Sequence, residues 1–455
     1  MEQNKHRVHA HVIVVPYPSQ GHINPLLQFA KRLASKGVKS TLATTHYTLK
    51  SISAANVGVE PISDGFDETG FAQVQNVHLF LKSFRENGSK SLSQLIQKFK
   101  DSGSPVTCIV YDAFFPWALD VAKQHGIYGA AFFTNSAAVC SIFCRIHHGS
   151  LHLPVEKNDL PLLLPGLPPL NSQDLPSFLR LPESYPAYLA MKLSQFSNLS
   201  KADWAFGNTF EALEGEVVEG LAGLWPGRLI GPMIPSAYLD DRIEEDRGYG
   251  ASLWKPLSEK CIKWLETKSV NSVVYVSFGS MVSVTAKQME EIAWGLKESG
   301  MNFLWVLRES EHSLLPNGFL DSIREEGILV TWCNQLEMLA NPAIGCFVTH
   351  CGWNSTLEGL SLGVPMIGVP QWADQLTDAK FVEEIWEVGV RAREDEKGVA
   401  RKELVKCLKE VMEGERSHEI RRNASKWKKL AKEAISEGGS SDKNINDFVN
   451  HLMYA

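Results

Sequence analysis

The chain has 455 residues, 44% of them hydrophobic, and a formal net charge of −7. That length exceeds the size at which a single core normally stops growing, so two domains of about 200 residues each are expected. The acidic balance gives no electrostatic basis for binding nucleic acid or an anionic membrane, and the sequence holds no apolar run of the roughly 18 residues that a membrane span requires.

Strand and helix patterns alternate from the start. Val8–Val15 is an apolar strand, Ile23–Ser35 carries a helical period through Leu26, Leu27, Ala30 and Leu33, Gly37 stops it, and Val38–Thr44 is a second strand, which makes a βαβ unit. The single short apolar run near the N-terminus ends in Pro and Gly and lacks a cleavage site, so it does not read as a signal peptide. Val106–Tyr111 is a strand ending at Asp112, followed by a helix over Pro116–Gln124 and a strand over Tyr128–Phe133. Leu151–Leu181 is rich in Pro and Leu without a clear period, and reads as an irregular loop beside a substrate cleft or as a plain surface excursion. Ile234–Lys260, with its charge run DDRIEEDR, reads as an interdomain linker. The pattern then restarts with a strand over Val273–Phe278, a turn at Gly279 and Ser280, a helix over Ala286–Glu298 stopped by Gly300, and a strand over Phe303–Leu307. Two similar α/β halves therefore follow one another. Beyond Gly438 and Gly439, a last amphipathic helix sets Ile445, Phe448, Val449 and Leu452 on one stripe.

The eight cysteines form no C-x-x-C pair, and Cys108, Cys346 and Cys351 fall in or beside apolar strands, as free buried thiols do. A reducing, cytoplasmic setting is expected. Cys140 and Cys144 share a helical face, where core packing is the expectation rather than metal binding.

The 44 residues from Trp332 to Gln375, WCNQLEMLANPAIGCFVTHCGWNSTLEGLSLGVPMIGVPQWADQ, are the most informative. An apolar run, Ile344–Thr349, meets His350, Cys351 and Gly352, and a helical pattern opens at Asn354, Ser355 and Thr356. A helix N-terminus offers unpaired N–H groups and partial positive charge to a diphosphate. Glu358 lies one turn beyond Asn354, where a carboxylate can accept from ribose hydroxyls, and Trp332 offers a face for a base with Gln335 close by. Asp374 and Gln375 follow the next apolar strand, Val364–Val369, as an acceptor and amide pair suited to a hexose. Read singly, Trp332 could be core, Glu358 a solvated helix carboxylate and His350 a helix cap.

His22 follows the first strand in PYPSQGHINP, and Asp112 ends a strand in CIVYDAFFPW. Strand carboxyl ends line the ligand crevice of open α/β sheets. A His of ordinary pKa can take a hydroxyl proton at neutral pH, and an Asp on its other nitrogen would fix the tautomer. Read without further context, His22 could equally cap its helix and Asp112 could be a helix N-cap.

The Trp332–Gln375 stretch closely resembles the donor-binding signature of plant family 1 UDP-dependent glycosyltransferases, with Asn334 where the family's W-x-P-Q opening carries Pro. The resemblance implies a GT-B fold of class α/β, with two Rossmann-like doubly wound domains facing a cleft. The boundaries it suggests are an acceptor domain over 1–233 rejoined by a C-terminal helix over 437–455, a linker over 234–259 and a UDP-sugar domain over 260–436. It makes His22 and Asp112 the catalytic base and its partner. It assigns UDP-glucose binding to Gly21, Thr134, Ser280, Trp332, Cys333, Gln335, His350, Gly352, Trp353, Asn354, Ser355, Glu358, Asp374 and Gln375, and acceptor binding to Tyr17, Phe114 and Trp372. Trp353 with a terminal Gln375 implies glucose rather than galactose.

The implied reaction is inverting transfer of glucose to an acceptor, releasing UDP, with no resident cofactor. No D-x-D motif ends a strand, so helix dipole and side-chain donors rather than a metal would steady the leaving diphosphate. The expected protein is a monomer whose partners are UDP-glucose and a hydrophobic small molecule. PYPSQGHINPLLQFAKRLASKG and ISDGFDETG are similar to the branch acting on carboxylates, terpenoids and steroids. A hydroxyl of a steroid or triterpenoid is the first expectation, with glucose-ester formation on a small carboxylic acid, or glucosylation of a flavonoid or phenolic, as alternatives. From other classes, a nicotinamide oxidoreductase is disfavoured because neither half opens with G-x-G-x-x-G, and an α/β-hydrolase because Ser280 lies in F-G-S-M. A silent sugar-nucleotide binding protein would keep the signature and lose the base.

Overall fold

The structure is a computed structural model that describes residues 10–454 except 72–73, 75, 252–255, 281–283, 324 and 396–397. It divides into two compact units, one of residues 1–170, 178–253 and 433–455, the other of residues 171–177 and 254–432.

The first unit is built on seven strands: β1 His11–Val15, β2 Lys39–Thr45, β3 Gly58–Ile62, β4 Cys108–Asp112, β5 Tyr128–Phe133, β6 Trp204–Gly207 and β7 Gly227–Leu229. They lie in the order β3-β2-β1-β4-β5-β6-β7, every pair parallel. Every residue of β1 and β4 is buried, as parallel strands covered on both faces require. Val8, the first residue of the expected first strand, lies outside the described residues. The helix Gln20–Ser35 buries Ile23, Leu26, Leu27, Ala30 and Leu33, and Gly37 at φ 84° ends it in the left-handed conformation that glycine adopts without strain.

The run DDRIEEDR, expected as part of a linker, packs into this unit. Its reason is charge pairing with the polar side of Gln20–Ser35: Arg32 binds the Asp240 carboxylate through both terminal nitrogens at 3.0 and 3.1 Å, and Lys31 Nζ lies 2.8 Å from Asp246 Oδ1. Asp246 is buried and the Asp240 side chain is 1% exposed, and Arg32 holds the Asp240 carboxyl below its ordinary pKa against the opposing pull of burial. Residues 252–255 of the expected linker lie outside the described residues. The last helix, Ser440–Tyr454, also joins this unit: Phe448 packs on Trp204, Phe206 and Phe29, and Ser441 Oγ donates to the Gly231 carbonyl at 2.6 Å.

The second unit repeats the design with β8 Val273–Ser277, β9 Asn302–Val306, β10 Gly327–Val330, β11 Ile344–Thr349, β12 Met366–Gly368 and β13 Gly389–Arg391. Their order, β10-β9-β8-β11-β12-β13, is again wholly parallel. Val274, Val276, Trp305, Cys346, Val348 and Ile367 form its core with Met289, Ile292 and Leu296 of the helix Ala286–Glu298. All eight cysteines are buried, and none forms a disulfide among the described residues. No helix among the described residues is long and apolar enough to cross a membrane.

Candidate active site

Strand order reverses between β1 and β4 in the first sheet and between β8 and β11 in the second. At such switch points neighbouring connections leave toward opposite faces and open a crevice at the strand carboxyl ends. Candidate residues stand at both.

In the first unit, β1 is in register with β4, Val15 beside Tyr111, so the turn after β1 comes up against the end of β4. His22 sits in the first turn of Gln20–Ser35, and its Nδ1 lies 2.6 Å from Asp112 Oδ2. Asp112 is 1% exposed. Its Oδ1 accepts the Phe114 N–H at 3.0 Å and its Oδ2 the Tyr17 N–H at 3.4 Å, so the carboxylate both organises its own turn and holds the imidazole. A carboxylate at Nδ1 places the ring hydrogen there and leaves Nε2 as the acceptor. Thr134, just past β5, has its Oγ1 3.2 Å from the same Nδ1. The His22 side chain keeps 18% of its surface open, enough for an approaching hydroxyl. Gly21 is half-buried next to it.

An aromatic wall surrounds the imidazole. The rings of Tyr17 and Phe114 lie 5.2 and 4.9 Å from that of His22, and burial raises the Tyr17 phenol pKa, which keeps it neutral. Lys192, on the helix Pro186–Ser194, is buried with Nζ 4.7 Å above the Phe114 ring and donates to Asn135 Oδ1 at 2.7 Å. Sequence reasoning missed it, because one Lys in a short helix looks like any solvated charge.

In the second unit, β11 ends at Thr349, His350 follows, Cys351 takes φ 60°, and Gly352 caps the helix Trp353–Leu362. Thr349 Oγ1 accepts the Cys351 N–H at 3.1 Å and fixes that bend. The helix starts one residue earlier than its pattern suggested. Two glycines make room for the imidazole: a Cβ on Gly279 would come 2.8 Å from His350 Cε1, and one on Gly352 would come 2.5 Å from its Nε2. Burial pushes the His350 pKa down to about 4, with the Ser277 backbone working in the opposite direction, so the ring is neutral near pH 7.

Asn354 is half-buried in the first helical turn, while Ser355 and Glu358 are buried. Gln335 opens the helix Gln335–Leu339, and its Nε2 donates to Ser355 Oγ at 2.9 Å and to Glu358 Oε2 at 2.7 Å. The Tyr275 hydroxyl donates to Gln335 Oε1 at 3.3 Å. Tyr275 escaped the sequence reading because it stands in an apolar strand and looks like core. Asn334 caps the Gln335 helix by accepting the Glu337 N–H at 3.5 Å, so the residue replacing the signature's Pro starts this helix with a side chain.

Trp332 is half-buried and lines a pocket with Phe278, Gly279, Val306, Leu307 and Arg308. Arg308 Nη1 donates to the Ser280 carbonyl at 2.7 Å, tying the half-buried Ser280 to the strand end beyond β9. Cys333 and Trp353 bury their side chains, Trp353 against Trp386 with ring centroids 6.1 Å apart. After β12, Trp372 and Asp374 are half-buried, and buried Gln375 accepts the N–H groups of Gln371 and Trp372 on Oε1 at 2.9 and 3.1 Å. The amide of Gln375 thus organises the loop that carries Asp374.

Residues 237–432 match the family described as UDP-glucoronosyl and UDP-glucosyl transferase, and residues 9–99 match the glycosyltransferase N-terminal domain. The chain is similar to UDP-glycosyltransferase 74B1 of Arabidopsis thaliana, with 52% identity covering 99% of this chain and all of that one. It is 47% identical to Mogroside I-E synthase of Siraitia grosvenorii, covering 96% of this chain and 97% of that protein. Among solved structures, Os79 from O. sativa in complex with UDP superposes with a TM-score of 0.93 at 38% identity, covering 97% of this chain and 100% of that one.

Proposed function

Because the chain belongs to the UDP-glucoronosyl and UDP-glucosyl transferase family, we propose that it transfers glucose from UDP-glucose to a hydroxyl of an apolar small molecule, with a steroid or triterpenoid skeleton as the first choice. The observation that carries this reading is the His22–Asp112 pair, 2.6 Å apart at a sheet switch point, with the imidazole partly open and walled by Tyr17 and Phe114. His22 Nε2 takes the acceptor's hydroxyl proton while its oxygen bonds to the anomeric carbon. The bond from that carbon to the diphosphate oxygen breaks, UDP departs, and the anomeric configuration inverts. Nδ1–H donates to Asp112 throughout and stabilises the imidazolium.

On the donor side, the N-terminus of Trp353–Leu362 with Asn354, Ser355 and His350 supplies hydrogen-bond donors to the diphosphate, in the manner of other helix N-termini. Trp332 stacks on the base, Gln335 and Glu358 take the ribose hydroxyls, and Asp374 and Gln375 hold the glucose. The triterpenoid choice draws support from the relative named Mogroside I-E synthase.

A carboxylic acid acceptor, giving a glucose ester, is the second reading, favoured by the buried Lys192 cation against the Phe114 ring. The deciding experiment offers UDP-glucose with a panel of triterpenoid, steroid, phenolic and carboxylic acid acceptors and measures UDP release. Turnover confined to apolar alcohols supports the first reading, turnover confined to acids the second, and no release with any acceptor overturns the assignment of transferase chemistry to this pair.

A further inference from the structure

The segment 171–177 comes from the Pro- and Leu-rich stretch of the first half, yet it packs as part of the second unit. Its anchors are ionic. The buried Asp174 carboxylate lies 3.1 Å from Arg391 Nη1 and 3.4 Å from Lys380 Nζ, Arg391 Nη2 donates to the Gln173 carbonyl at 2.9 Å, and Thr377 Oγ1 donates to that of Asp174 at 2.7 Å.

At the end of the segment stands Ser177, also buried. Its N–H donates to the Ala373 carbonyl at 3.0 Å, and its Oγ accepts the Ala373 N–H at 2.8 Å, so one residue engages both main-chain polar groups of Ala373. Ala373 has φ 58°, the left-handed region that a residue with a Cβ adopts only when its surroundings impose it. It separates Trp372 from Asp374. Gln375 fixes the loop from the other side through Gln371 and Trp372.

We infer that Ser177 is a positioning residue for the donor sugar: it imposes the left-handed bend at Ala373 and thereby aims Asp374 and Gln375. The inference rests on the reading that these two residues hold the glucose hydroxyls. Without the hydroxyl of Ser177, Ala373 loses the acceptor for its N–H and relaxes toward right-handed backbone, turning Asp374 off its line. Trp332, Gln335 and Glu358 stand on other elements, so recognition of the nucleotide is untouched.

The test compares wild type with Ser177→Ala, Ser177→Thr and Asp374→Ala, measuring UDP affinity by calorimetry and kcat/KM with UDP-glucose and with UDP-galactose. In Ser177→Ala, UDP affinity stays at the wild-type value, KM for UDP-glucose rises roughly three- to tenfold as one hydrogen bond's worth of aim is lost, and preference for glucose over galactose shrinks. Ser177→Thr, which keeps the hydroxyl, restores the preference. If Asp374→Ala erases the preference while Ser177→Ala leaves it intact, or if Ser177→Thr fails to restore it, the inference is wrong. If Asp374→Ala itself leaves preference and KM unchanged, the underlying reading of the sugar site fails instead. Equal weakening of UDP and UDP-glucose in Ser177→Ala would mark Ser177 as a general structural support and also overturn the inference.

Discussion

His22 Nδ1 lies 2.6 Å from Asp112 Oδ2 although 90 residues separate them, because parallel pairing of β1 with β4 brings two strand ends side by side. In the proposed mechanism the contact gives each residue a distinct duty, and the two duties should separate under mutation. An alcohol must lose its proton during attack, whereas a carboxylic acid is already ionised at pH 7. His22→Ala is expected to lower kcat with hydroxyl acceptors by roughly 10²- to 10⁴-fold, to spare ester formation more, and to leave UDP affinity unchanged. Asp112→Asn should give a milder version of the same pattern. Initial rates with paired alcohol and acid acceptors check this; equal losses for both classes would make His22 a substrate-positioning group.

The proposed nucleotide site makes a second prediction. Glu358 is 5% exposed and accepts from Gln335 at 2.7 Å, so it is a structured buried acceptor and not a solvated helix carboxylate. Trp332→Ala and Glu358→Ala should each weaken UDP binding by about 1 to 3 kcal/mol, through lost stacking and a lost charged hydrogen bond. Isothermal calorimetry with UDP reads this directly, and unaltered affinity in both variants would return the two side chains to packing roles.

Stability should respond to pH through His350. Its folded-state pKa of about 4 lies below the ordinary histidine value of 6.5, so between those values the unfolded chain binds a proton that the folded chain refuses. This contribution is therefore fully favourable above pH 6.5 and is lost as pH falls toward 4, costing about 3 kcal/mol at the acid end. Urea unfolding of wild type and His350→Gln at pH 7.5, 5.5 and 4.5 should show the wild type losing stability more steeply. Parallel pH profiles would mean that His350 is solvated.

Donor chemistry should be indifferent to chelation. The diphosphate charge is assigned to the helix N-terminus at Trp353 and to Asn354, Ser355 and His350, so excess EDTA should leave the rate within experimental error of the untreated enzyme. A rate abolished by chelator and recovered with Mg²⁺ or Mn²⁺ would contradict that assignment.

The sequence by itself determined whatever depends on local pattern. Apolar runs and helical periods marked β1, β4, β5, β8 and β11, and Pro116–Gln124 and Ala286–Glu298 fall where their periodicity set them. His22 and Asp112 were visible as polar residues at strand ends. Short strands such as Gly227–Leu229 and Gly389–Arg391 carry too few residues for a period, and only their pairing within a sheet makes them strands. Tertiary structure alone decided the fate of charges. Asp174, Asp240 and Asp246 look like solvated loop acids, but their cations lie about 200 positions away in sequence, at Arg391, Arg32 and Lys31. Burying such a carboxylate is unfavourable until its partner arrives, and no local window of sequence contains both. The same holds for Ser177: nothing near it in the chain announces Ala373, because the bend it supports is made by residues 196 positions further on.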